Sequence, residues 1–158
     1  MGIKWIIIDG YNALHTQNHL KSLFSSNPEK ARYEFIKLIE NYLIKLSCKT
    51  TVIFDGIKKE IDPILSTKSI EVIYAPSNLS ADGLIERLVH NYSSPKDICV
   101  VTSDRLEQLT VTASGAFIQS SKDFMNQCLN TKSSTYSTKM KPLEKPTIGD
   151  IFPNKNEQ

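Results

Sequence analysis

The sequence predicts an α/β fold, with a mainly parallel central sheet packed between layers of helices. Three observations predict it. The runs Trp5-Ile6-Ile7-Ile8, Thr51-Val52-Ile53-Phe54 and Ile98-Cys99-Val100-Val101 are apolar without polar alternation, so each reads as a strand buried on both faces. Segments with apolar residues at helical spacing separate these runs, an order that favours parallel strands joined by helical crossovers. Each run is also followed by an acid, namely Asp9, Asp55 and Asp104. A buried strand gains nothing structurally from a terminal charge, and open α/β sheets bind ligands at their carboxyl edge.

The elements follow in order. Lys4 to Asp9 is the first strand, and Asn27-Pro28-Glu29 opens the first long helix, with Asn27 as cap and Pro28 at the first helical position. Phe35, Leu38, Ile39, Tyr42, Leu43 and Leu46 carry its apolar face. Thr50 to Asp55 is the second strand. Gly56 to Ser69 is polar and reads as a long loop with room for a short helix. Ile70 to Ala75 is the third strand, closed by Pro76. Ser80 caps a helix with Leu84, Ile85, Leu88, Val89 and Tyr92 on one face. Ile98 to Thr102, a helix from Asp104 to about Ala113, a strand Ala116 to Gln119 and a helix from Ser121 to about Leu129 complete the set.

Composition bounds the rest. A chain of 158 residues holds one domain with a core, assigned to residues 1–130, and a Ser/Thr/Lys/Pro-rich segment over 131–158 that reads as a flexible tail. The tail's apolar island, Ile148, Ile151 and Phe152, is small. A net charge of +2 does not by itself demand a polyanionic partner. Cys48, Cys99 and Cys128 form no CxxC pair, and Cys99 falls inside a strand, where a small buried thiol fits. The chain enters its first strand without a basic and apolar leader, and no run has membrane-spanning length. A reducing, cytoplasmic setting without a membrane partner is expected.

Asp82 and Glu86 stand four apart on the helix opened by Ser80, so they share a face at the margin of its apolar stripe. The plain alternative for Asp82 is complementing the helix dipole in the first turn, which leaves Glu86 and the strand-end acids unexplained. Carboxylates gathered at one sheet edge must either bind a divalent cation or take up protons. Hard oxygen ligands suit Mg²⁺ or Mn²⁺, and such an ion supports phosphodiester cleavage. Asp9, Asp82, Glu86 and Asp104 therefore form a coherent metal-dependent phosphodiesterase set. Asn12, Thr102 and Ser103 are neutral neighbours able to orient water or phosphate.

Four motifs occur in order: Asp9-Gly10-Tyr11-Asn12, Phe54-Asp55-Gly56, Ser80-Ala81-Asp82-Gly83-Leu84-Ile85-Glu86-Arg87, and Val101-Thr102-Ser103-Asp104-Arg105-Leu106-Glu107-Gln108. Together they resemble the YacP-type NYN domain of the PIN-like nucleases, over roughly Ile3 to Leu129. The resemblance implies a PIN-like three-layer α/β/α sandwich and metal-assisted endoribonuclease activity, with messenger RNA as substrate and the ribosome as a candidate partner. It implies Asp9, Asp82 and Asp104 as acidic metal ligands, with Asn12 beside the first and Glu86 as a further helical acid. Asp55 would stand behind the ligands. Where the family often has alanine after that aspartate, this chain has Gly56.

RNA must also be held. Lys58, Lys59, Arg87 and Arg105, with His15 and His19, are candidate phosphate contacts, and Tyr11 is a candidate platform for a base. Solvation for the lysines, pairing with nearby acids for the arginines and packing for Tyr11 are the alternatives. His15 suits a cap or packing role better than a general base. Glu107 and Gln108 read as solvated helix positions, with Gln108 able to reach the site edge. The competing functional class is an RNA- or ribosome-binding adaptor with a relic acidic site. Two other phosphoryl-transfer folds lack a reactive residue. A haloacid-dehalogenase-like phosphatase needs a second acid at Tyr11, and a receiver domain needs a lysine within Gln119-Ser120-Ser121.

Overall fold

The computed structural model describes residues 2–56 and 65–133. Among these residues there are five strands, β1 (Trp5–Asp9), β2 (Lys49–Phe54), β3 (Glu71–Tyr74), β4 (Ile98–Val101) and β5 (Phe117–Gln119). They form one sheet in the order β3-β2-β1-β4-β5, and every pairing is parallel. The chain builds outward from β1 through β2 to β3, then returns to lay β4 on the other side of β1. The crevice between the carboxyl ends of β1 and β4 is therefore the topological switch point, where such sheets bind ligands.

Among the described residues six α-helices cover the sheet: α1 (Gly10–Leu14), α2 (Asn18–Ser26), α3 (Pro28–Ile44), α4 (Ala81–Asn91), α5 (Arg105–Ala113) and α6 (Ser121–Ser133). Strand alternation sorts the core into two layers. Ile6, Ile8, Val52, Phe54, Val72, Cys99 and Val101 pack with α1, α2, α3 and α6. Trp5, Ile7, Ile53, Ile98 and Val100 pack with α4 and α5. This is the expected α/β/α sandwich.

The caps at Asn27 and Ser80 form as expected, accepting hydrogen bonds from Lys30 N at 3.1 Å and Gly83 N at 3.1 Å. Two elements are new. Between Asp9 and Asn27 only a helix start at His15 is expected, whereas α1 and α2 fill that stretch. Neither announces itself: α1 has five residues started by the Asp9 side chain, and α2 buries only Leu20 completely. The last helix also runs on, to Ser133 rather than Leu129. Most of the 131–158 segment, and Lys58 and Lys59 in the long loop, lie outside the described residues. No helix among the described residues is long and apolar enough to cross a membrane.

Candidate active site

Alternation along β1 decides where Asp9 points. Trp5 and Ile7 belong to the α4–α5 layer, so Asp9 faces that layer too. Its side chain is 8% exposed and caps α1, accepting from Asn12 N at 3.4 Å. Gly10 is required beside it, because a Cβ there would lie 2.5 Å from ring atoms of Phe54. Burial, and then the charge of Asp82, push the Asp9 carboxyl up to about 6.

Asp82 is delivered by α4. Asp55, just past β2, accepts a hydrogen bond from Ala81 N at 2.7 Å and so ties the first residue of α4 to the sheet edge. The next residue, Asp82, is half-buried, and its carboxyl is raised by burial and then by the charge of Asp104. Glu86, one turn later, is also half-buried, but lies outside the tight carboxylate group.

The third carboxylate is Glu107. Asp104 caps α5, its Oδ1 accepting from Leu106 N at 3.0 Å and Glu107 N at 3.2 Å. Glu107 follows inside the first turn, is 1% exposed, and neither of its oxygens has a hydrogen-bond partner among the described residues. Burial, and then the Asp9 charge, push its carboxyl up to about 9. The expected solvated position of Glu107 is thus corrected. Leu106 and Leu109 take the solvent side instead, at 75% and 63% exposure.

Asp9, Asp82 and Glu107 each offer a carboxylate oxygen, all within 4.8 Å of one another. Three such groups cannot all stay ionised unaided. A buried carboxylate without hydrogen bonds needs a proton or a cation. Hard oxygens at this spacing suit Mg²⁺ or Mn²⁺, so the donor set fits the expected ion. Asp104 stands next to this trio, with one oxygen committed to its cap.

The neutral neighbours form a brace. Asn12 Oδ1 accepts from Ser103 N at 2.9 Å and from Ser121 Oγ at 2.6 Å. Ser103 Oγ accepts from Ser121 N at 3.0 Å, and Thr102 Oγ1 accepts from Asp104 N at 3.1 Å. Gln108 donates to the Thr102 carbonyl at 2.7 Å. The amide oxygen of Asn12 thus joins α1, the β4–α5 turn and the start of α6.

Tyr11 is half-buried among Phe24, Phe54 and His15, and its hydroxyl accepts from Arg32 Nη1 at 3.0 Å. Its ring packs instead of offering an open platform for a base. Arg87, Arg105, His15 and His19 are exposed. Neither arginine joins an ion pair among the described residues, where Lys4 and Lys96 pair with Asp97.

A parallel sheet with a carboxylate trio at its switch point defines an α/β domain of the acid-site, nuclease-like class. The chain belongs to the YacP-like NYN domain family, whose profile matches residues 6–156 and thus runs well past residue 130. A Bacillus subtilis (strain 168) relative, the uncharacterized protein YacP, is 28% identical over 124 residues, covering 77% of this chain and 73% of that protein. A crystal structure of Rae1 (YacP) from Bacillus subtilis has a TM-score of 0.69 at 25% identity, covering 99% of this chain and 90% of that one. The structure of its W164L mutant shares the fold, with a TM-score of 0.68 at 24% identity over 94% of this chain and 98% of that one. Membership of this family supports a nuclease-type, RNA-related function.

Proposed function

We propose that the protein is a metal-dependent endoribonuclease, with messenger RNA as substrate, working in the cytoplasm and with the ribosome as a candidate platform. The observation that carries this reading is Glu107, a buried carboxylate with both oxygens unpartnered, beside Asp9 and Asp82 at the switch point. Such a group has a purpose if a cation completes it.

Asp9, Asp82 and Glu107 would hold Mg²⁺ or Mn²⁺, with Asp104 and Glu86 as further acids at the rim. The ion would supply positive charge at the scissile phosphate and acidify the attacking water. The chain's own residues do the rest. Asp55 keeps Asp82 in place through the α4 backbone, and the Asn12 brace keeps the β4–α5 turn, and with it Glu107, against β1. Thr102 stays oriented by Asp104 N. The exposed Arg87 and Arg105 contact phosphates without reading sequence, and Lys58 and Lys59 are proposed for the same role. The modest charge of +2 favours a partner that presents the RNA, which motivates the ribosome proposal.

Asp9→Asn and Asp82→Asn test the reading. Each should abolish RNA cleavage in Mg²⁺ or Mn²⁺ while leaving the protein folded. Persistence of cleavage after both changes refutes the site. Comparing naked messenger with translating ribosomes tests the partner: vigorous cleavage of naked RNA at physiological salt argues against a required ribosome.

A further inference from the structure

Arg32, near the start of α3, is a half-buried cation with no counter-ion among the described residues. Its guanidinium carbon lies 5.7 Å from the Tyr74 ring centroid and 5.9 Å from that of Phe54. Nη1 donates to the Tyr11 hydroxyl at 3.0 Å, while Nε is buried without a hydrogen-bond partner among the described residues. No carboxylate pairs with it among the described residues. Sheltering a charge without an opposite charge is costly, and ring faces offset only part of that cost.

The surroundings say where an anion would come from. Phe54 and Tyr74 are the last residues of β2 and β3, so the guanidinium sits over the carboxyl edge of the sheet. Tyr11 lies two residues beyond Asp9, in the first turn of α1, between the acids and Arg32. Alternation puts the acids on the α4–α5 side and Arg32 on the α3 side of the same edge. The Tyr11 oxygen already accepts from Arg32, which leaves its own proton to give to another acceptor. A guanidinium and a hydroxyl both short of an acceptor suit a phosphate group, for which arginine's planar fork is well shaped.

We propose that Arg32 and the Tyr11 hydroxyl form a seat for a backbone phosphate flanking the scissile one, so that the strand crosses the sheet edge over the Asp9 turn. This rests on the RNA reading above. Tyr11 then serves through its hydroxyl while its ring stays packed.

The test uses the full chain carrying Asp9→Asn, which prevents cleavage, and a short fluorescent single-stranded RNA titrated at several salt concentrations. Adding Arg32→Gln should weaken binding about tenfold and reduce the slope of log affinity against log salt by about 0.7. Arg32→Lys should preserve the slope, because the charge is kept. Tyr11→Phe should weaken binding by a smaller factor at unchanged slope. A second readout follows the Arg32 Nε–H resonance by NMR, which should shift as RNA is added. Affinity and slope unchanged by Arg32→Gln, or a resonance that stays still while RNA binds, overturn the seat and leave the nuclease reading standing. If the Asp9→Asn protein binds no RNA and the native chain cuts none, both fall together.

Discussion

Asp55 accepts a 2.7 Å hydrogen bond from the backbone N–H of Ala81, a residue 26 positions further along the chain. That bond joins the end of β2 to the start of α4, one residue before Asp82. An exposed acid that looks like a member of the cluster acts through a helix instead.

Removing that acceptor should therefore cost both stability and activity. Asp55→Ala leaves an N–H at the α4 terminus unsatisfied and should destabilise by about 1–2 kcal/mol. Cleavage should fall with it, as a higher metal requirement. Asp55→Asn keeps an acceptor and should recover most of the stability. Chemical denaturation and metal titration of both variants check this, and equal effects of the two changes would contradict it.

Glu107→Gln separates function from stability. The amide fills the same volume and needs no proton taken up on folding, so the metal-free protein should gain stability at neutral pH, on the order of 1–3 kcal/mol. Cleavage should be lost because a carboxylate leaves the trio. A variant that is active, or less stable than the parent without metal, would count against this role.

The pH dependence of the metal-free protein follows from the same burial. Asp9 is raised from 3.8 to about 6 and Glu107 from 4.5 to about 9, so the folded chain holds more protons than the unfolded chain between these limits. Stability should then fall as pH rises through that window, the reverse of a salt-bridged carboxylate. Melting temperatures in chelator should decline from mild acid towards pH 9, and added Mn²⁺ should flatten the decline. A rising trend would refute the assignment.

The Asn12 brace should behave as one unit. Asn12→Ala and Ser121→Ala each break the 2.6 Å bond between them, and Asn12→Ala also releases Ser103 N. Each loss should cost about 1–3 kcal/mol, with the double variant costing less than the sum. A double-mutant cycle measures the coupling, and strict additivity would show that the brace is not shared.

Gly10→Ala probes the packing under Asp9. The added methyl would meet the Phe54 ring at 2.5 Å, and only movement of that ring or of β1 relieves the clash. Destabilisation of about 1–3 kcal/mol is expected, with a loss of cleavage larger than the stability change explains. Calorimetry and an activity assay together check it.

The sequence alone determined the framework. Short unbroken apolar runs ending in an acid read as strands buried on both sides, so β1, β2 and β4 and the edge carrying Asp9 were legible from run length and flanking residues. So were the caps at Asn27 and Ser80, because capping chemistry is local. The face shared by Asp82 and Glu86 also followed from helical spacing. The tertiary structure decided what no local rule contains. It turned α5 so that Glu107 goes inward and Leu106 and Leu109 face out, against the apolar pattern, because the Asp104 cap and the packing of Val111 set the helix's rotation. It also gave Asn12 its purpose, by bringing Ser103 and Ser121 to one oxygen from distant parts of the chain. Local propensity is encoded residue by residue, whereas the burial of a charge depends on which elements meet, and that is settled only once the sheet has assembled.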